Sequence, residues 1–156
     1  MRAAVVTVSS SRTAEDDVGG AELARFAESL GAEVAARELV ADRLGLIEEL
    51  LVHLCDSAGC DLVLTTGGTG FAPDDVTPEA TLAVAERVAP GIAEAMRLAS
   101  SEHTKHWMLS RNVAAIRGRT LIVNFPGSPK AIGEAGAAIA EALPHALRLL
   151  RGERPH

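Results

Sequence analysis

The sequence predicts an α/β protein, a three-layer α/β/α sandwich built on a mostly parallel mixed sheet. Three observations carry this. Short apolar runs such as Ala3 to Val8 and Leu62 to Leu64 alternate with longer stretches of helical spacing. Glycine- and proline-bearing turns follow the runs, as in Gly67-Gly68-Thr69-Gly70 and Pro126-Gly127-Ser128. A length of 156 residues with 47% apolar content suits one domain with a full core, residues 1–152, ahead of a polar tail at 153–156.

Ala3 to Val8 reads as a buried parallel strand. Ser9-Ser10-Ser11-Arg12-Thr13 follows it, then Glu15-Asp16-Asp17-Val18-Gly19-Gly20. Hydroxyls and an arginine after a first strand suit a phosphate or carboxylate; read locally, they also make an ordinary polar loop. A helix over 21–30 is marked by Leu23, Phe26, Ala27 and Leu30 and ended by Gly31. Glu33 to Val40 is a second strand, which completes a βαβ unit. Asp42 then stands where it would cap a helix over 43–57 whose apolar face is Leu46, Ile47, Leu50, Leu51 and Leu54.

After the strand at Leu62 to Leu64 and its glycine loop, Thr77 fits an N-cap and Pro78 the first position of a helix running to Val88. Ala89-Pro90-Gly91 breaks that helix, and another spans 92–101 with Glu94 and Arg97 as a surface pair one turn apart. His103 and His106 lie just before Trp107 without a third ligand nearby, so they do not make a metal pattern. Met108 to Ile116 and Arg119 to Phe125 read as strands of a hairpin turning at Arg117-Gly118, which would give the sheet an antiparallel member. Lys130 falls near the start of a helix over 131–143, as a ligand contact or as an exposed first-turn lysine. Pro144 interrupts that helix before a last one over 145–150.

Composition excludes some classes. A formal charge of −6 gives no general attraction to nucleic acid. No apolar run is long enough for a membrane span, and the chain opens directly into a strand, so it reads as cytoplasmic. Cys55 and Cys60 do not form a zinc pattern and read as small apolar residues.

The chemistry concentrates in Asp61 to Thr81: a strand, a glycine loop, the acidic pair Asp74-Asp75 and a helix start. It is neither a P-loop nor a dinucleotide fingerprint. Read alone it is a tight turn or an anion site of exposed backbone N–H groups. Asp42 and Asp75 both follow strands, so in a parallel sheet both would face one crevice and share a divalent metal with a triphosphate. Asp74 is expected to face solvent.

Thr65-Thr66-Gly67-Gly68-Thr69-Gly70 followed by Asp75-Val76-Thr77-Pro78-Glu79-Ala80-Thr81 resembles the signature of the MogA/MoaB family of molybdenum cofactor biosynthesis. The likeness extends to Ser9-Ser10-Ser11-Arg12 (with Ser10 where Asp is common), Asp42, Pro90-Gly91 with Glu94 and Met96-Arg97, Leu109-Ser110-Arg111, and Asn124 to Ala131 with Phe125 where Leu is usual. It implies a molybdopterin-binding domain, assembled as a homotrimer or larger oligomer. Its adenylyltransferase members transfer AMP from Mg-ATP to the terminal phosphate of molybdopterin and release pyrophosphate. By this resemblance Asp42 and Asp75 are the catalytic carboxylates and hold the Mg2+ on ATP. Thr66, Gly67, Gly68, Thr69 and Gly70 cradle phosphate. Ser9, Arg12, Ser110 and Arg111 contact substrate, and Pro126, Gly127, Ser128 and Lys130 lie near the pterin or its dithiolene-bearing arm. A molybdenum insertase would be the partner.

The alternative is a non-catalytic molybdopterin-binding or scaffold protein of the same fold. The presence of both Asp42 and Asp75 argues for the enzyme, and the short first loop argues for the scaffold. A generic nucleotide-binding enzyme of Rossmann type lacks its fingerprint here.

Overall fold

Six strands, β1 (Arg2–Val8), β2 (Glu33–Val40), β3 (Leu62–Thr66), β4 (Arg87–Val88), β5 (Ala114–Arg117) and β6 (Thr120–Phe125), form one sheet ordered β2-β1-β3-β6-β5-β4. The structure is a computed structural model that describes residues 1–154. Strands β2, β1, β3 and β6 are mutually parallel, and β5 runs antiparallel between β6 and β4. Neighbouring residues of a strand face opposite sides of the sheet, and this alternation sorts the core into two halves. Ala3, Val5, Leu62, Leu64, Leu121 and Val123 pack against α1 (Val18–Ser29), α4 (Pro90–Ser100), α5 (Pro129–Ile139) and α6 (Ala142–Leu150). Ala4, Val6, Val8, Val63 and Ile122 pack against α2 (Leu44–Val52), its π-helical extension His53–Ser57, and α3 (Thr77–Val84). The expected three-layer α/β/α sandwich with a mixed sheet is therefore the observed fold.

Several boundaries differ from the sequence reading, each for a local reason. Helix α1 begins at Val18, earlier than Ala21, because the Asp17 side chain accepts from Gly20 N at 2.9 Å. Asp42 does not cap α2. Its Oδ2 accepts from Ser10 Oγ at 2.9 Å and its N–H donates back to that hydroxyl at 3.0 Å, so it is tied to the first loop. Thr77 is inside α3 rather than its cap, and its hydroxyl donates to Gly67 O at 3.0 Å.

Helix α3 stops at Val84, and Arg87–Val88 becomes an edge strand paired with β5. Pro90 then opens α4 instead of only breaking a helix, since a first helical position needs no donor. Residues 108–113 are not a strand. A 3-10 turn at Trp107–Leu109 leads into a link whose Arg111 N–H donates to Thr69 O at 2.8 Å. The hairpin turns at Gly118-Arg119, one residue later than expected, with Gly118 at φ +56°. Pro144 lies in the first turn of α6, where its missing N–H costs no intrahelical bond. Glu94 and Arg97 form no pair; Arg97 Nη1 donates to Asn112 O and Oδ1 at 3.0 and 2.7 Å. Of the expected polar tail, Glu153 N–H still bonds Arg148 O at 3.0 Å, while residues 155–156 lie outside the described residues.

One polar group is fully buried at the junction of these layers. Asn124 on β6 donates to Thr65 Oγ1 and Thr81 Oγ1, both at 3.0 Å, and its Oδ1 accepts from Val113 N at 3.1 Å. It thereby joins β3, α3 and the link before β5. Asn124→Ala removes two buried hydrogen bonds, to Thr65 and Thr81, and the partly buried one from Val113 N, so we expect a loss of about 2–4 kcal/mol in urea unfolding. A loss below about 0.5 kcal/mol would show that the network contributes little.

Burial also protects the thiols. Desolvation pushes Cys55 up to about 11 from an ordinary 9.0, and raises Cys60 as well. The folded state therefore keeps the Cys55 proton over a range in which the unfolded chain loses it. That contribution to stability is full below pH 9.0 and declines as pH rises toward about 11. The expected outcome is slow reaction of both thiols with a disulfide reagent at pH 8 and fast reaction in urea. Equal rates in the two states would contradict it.

Candidate active site

Strand β1 has β2 on one flank and β3 on the other, so the chain leaves these neighbouring strands in opposite directions across the sheet. Such a switch point opens a crevice at the strands' carboxyl ends. Here it is a cavity of about 270 Å3 lined by Thr7, Ser9, Arg12, Thr66, Gly67 and Ser128, with Asp17, Gly19 and Gly127 completing its wall.

Two helix N-termini contribute to that wall. Helix α1 is capped by Asp17, and α5 by Ser128, whose Oγ accepts from Ala131 N at 3.2 Å. Gly19 permits the first to come close: a Cβ there would stand 3.1 Å from Gly127 O and 3.6 Å from Thr66 Oγ1. Thr66 Oγ1 donates to Pro126 O at 2.6 Å and ties the end of β3 to the turn after β6. Helix N-termini carry partial positive charge and free N–H groups, so the crevice suits an anion. Arg12 adds a full charge at its edge, its backbone N–H held by Ser9 Oγ at 3.1 Å.

Beside the crevice lies the glycine loop. Gly67 and Gly68 adopt φ +92° and +68°, and side chains there would collide with Val8 O and Thr77 Oγ1 respectively. Arg111 fixes the far half of the loop. Its Nε donates to Gly70 O at 2.8 Å, its Nη2 to Asp75 O at 2.7 Å, and its Nη1 to Glu79 Oε1. That last bond holds the Glu79 carboxyl below its ordinary value.

The two carboxylates approach this loop. A Cβ on Gly68 would lie 3.4 Å from Asp42 Oδ1, and one on Gly70 would lie 2.8 Å from Asp75 Oδ2. Ser10 orients Asp42, and Ala72 N–H donates to Asp75 Oδ2 at 2.9 Å. The Oδ1 of each accepts no hydrogen bond among the described residues. No group of three or more His, Cys, Asp or Glu that could hold a metal occurs among them either. Two oriented carboxylates with one open oxygen each fit a Mg2+ that takes its remaining ligands from phosphate and water.

The residues singled out in the sequence thus fall into distinct groups. Ser9, Arg12, Thr66, Gly67, Gly127 and Ser128 share the crevice. Asp42, Gly68, Gly70 and Asp75 surround the loop, while Thr69 is buried with its carbonyl bonded to Arg111 N. Arg111 acts on the loop itself. Ser110 and Pro126 line a different cavity, and Lys130 is 87% exposed beside Glu134. Asp74 is exposed. Thr7, Asp17 and Gly19 were not singled out. The available signal was an Asp at the start of Asp17-Val18-Gly19-Gly20, a capping residue ahead of helical spacing.

The geometry of Gly68 yields a test. Gly68→Ala combines a left-handed backbone with the Thr77 collision and should cost at least about 2 kcal/mol in stability. Adding Thr77→Ala should restore part of that loss; no restoration would mean the collision is relieved in some other way.

Comparison with known proteins gives the family. Residues 4–145 match the family described as a probable molybdopterin binding domain. The molybdopterin adenylyltransferase of Helicobacter pylori strain J99 is 47% identical over 115 residues, which cover 74% of this chain and 65% of that protein. The Escherichia coli K12 protein of the same name is 44% identical over 126 residues, covering 73% and 65%. The chain therefore spans just under two thirds of the length of these curated relatives. The crystal structure of the molybdopterin biosynthesis enzyme MoaB from Thermus thermophilus superimposes with a TM-score of 0.88 at 44% identity, covering 97% of both chains. The chain belongs to the molybdopterin-binding family of molybdenum cofactor biosynthesis.

Proposed function

We propose that the protein is a molybdopterin adenylyltransferase. The observation that carries this reading is the pair Asp42 and Asp75, each with an open oxygen, set against the glycine loop beside an anion-suited crevice. The names of its relatives support it.

In the proposed reaction an oxygen of molybdopterin's terminal phosphate attacks the α-phosphorus of ATP. The bond from that phosphorus to the bridging oxygen breaks, and pyrophosphate leaves with the electron pair. No oxidant or reductant is needed. Such a transfer depends on positioning and on neutralising charge. Backbone N–H groups of Gly68 to Gly70 would hold phosphate oxygens. Arg12 and the N-termini of α1 and α5 would hold the acceptor phosphate in the crevice. Asp42 and Asp75 would hold Mg2+, which would supply charge neutralisation on the triphosphate. Ser10 and the Ala72 N–H keep the two carboxylates aimed. By the same resemblance we propose a cytoplasmic homotrimer or larger oligomer that delivers adenylylated molybdopterin to a molybdenum insertase.

The test is AMP transfer with purified protein, molybdopterin, ATP and Mg2+, following adenylylated pterin and pyrophosphate together. Asp42→Asn and Asp75→Asn should each lower the rate by about 100-fold or more while molybdopterin binding persists. Equal loss of binding and rate would remove the metal-holding role. Molybdopterin binding by the wild type without product would establish the scaffold reading instead.

A further inference from the structure

We propose that Ser10 determines which divalent cation the two carboxylates accept, favouring Mg2+ over Ca2+. The inference rests on the metal-holding reading above and deepens it to the choice of ion. Sheet register places the residue. Val8 pairs with Val40 at the ends of β1 and β2, and Ser9 N–H donates to Val40 O at 2.9 Å. Ser10 and Asp42 each stand two residues beyond that pair, so they meet although 32 positions separate them in the chain.

The direction of their hydrogen bonds follows from the groups involved. Asp42 N–H donates to Ser10 Oγ at 3.0 Å, which leaves the single hydroxyl proton for Asp42 Oδ2 at 2.9 Å. Asp75 is held in the same manner by Ala72. Its N–H donates to Ala72 O at 3.0 Å, and its Oδ2 accepts from Ala72 N at 2.9 Å. Each carboxylate is therefore fixed at two points, with one oxygen under a donor and the other open. A Cβ on Gly68 would lie 3.4 Å from Asp42 Oδ1, so the open oxygen of Asp42 is the one beside the loop.

This pattern separates ions by how many oxygens a carboxylate can give. Ca2+ takes about six to eight oxygen ligands and often uses both oxygens of one carboxylate. Mg2+ keeps a strict octahedron, built from one or two carboxylates with phosphate and water for the rest. To chelate Ca2+ with both oxygens, Asp42 would have to turn Oδ2 toward the ion, against the proton of Ser10. A hydrogen bond to a charged group opposes that turn. Ala72 restrains Asp75 through a backbone N–H, whereas Ser10 acts through an exposed side chain. Its hydroxyl can be removed without touching the core.

The experiment measures binding without turnover, using an ATP analogue whose α- and β-phosphates are joined by a methylene group. Calorimetry on the full chain gives its Kd with Mg2+, with Ca2+ and with a chelator alone. The wild type should bind the Mg2+ form more tightly than the Ca2+ form by about ten-fold. Ser10→Ala should shrink that ratio about five-fold by strengthening the Ca2+ form. Ser10→Thr, which keeps the hydroxyl, should retain the ratio. An unchanged ratio in Ser10→Ala, or equal narrowing in Ser10→Thr, would overturn the proposal. The two readings fail separately. Analogue binding that neither cation strengthens would sink the metal-holding pair itself, and the proposal with it. Binding that both cations strengthen equally in the wild type, with AMP transfer intact, would sink only the choice assigned to Ser10.

Discussion

The site depends on how closely the glycine loop is packed. Gly67 and Gly68 turn through left-handed backbone directly against Val8 O and Thr77 Oγ1, a path closed to any residue with a Cβ. A loop of this kind would be mobile if left to itself, since glycine loses the most conformational freedom on ordering. Arg111 supplies the restraint. Its planar fork engages three separate acceptors, Gly70 O, Asp75 O and Glu79, which a lysine could not reach together. All three of its hydrogen bonds go to the loop and the residues just after it, whereas the resemblance implies a substrate contact.

Around that loop, the sheet topology makes the rest follow. The switch between β1 and β3 leaves a crevice at their carboxyl ends, and the turn after β6 closes its third side. Buried polar groups fasten these ends to one another. Thr66 reaches Pro126 O, Thr77 reaches Gly67 O, and Asn124 links β3 to α3. The Asn124–Thr81 bond is buried and the other two are partly buried, so losing any of them leaves a donor or acceptor poorly matched. The residues that line the crevice and the loop are thereby tied to the strand ends.

Much of this was legible in the sequence. Continuous apolar runs gave β1, β3 and β6, and the periodicity of Leu46 to Leu54 gave α2, because burial imposes these patterns whatever the neighbours do. The misread pieces were decided by tertiary partners. Met108 to Val113 has strand-like composition, yet Arg111 is drawn to the glycine loop and β5 starts only at Ala114. Asp42 has the composition and position of a cap, yet it pairs with Ser10, which lies far away in sequence. Arg97 has an acidic neighbour one turn away, yet it is held by Asn112. Local spacing carries no information about a partner that distant, and that is why the division of site residues into crevice, loop and cavity became visible only in three dimensions.

We propose that Asp42 and Asp75 act together, through an ion and the phosphates on the glycine loop. The most direct measurement is a crystal structure with Mn2+ and a non-hydrolysable ATP analogue, the ion located by its anomalous scattering. The expected result is one ion bound by oxygens of both carboxylates, with the triphosphate against the N–H groups of Gly68 to Gly70. An ion held elsewhere, or a nucleotide that leaves the loop untouched, would contradict it.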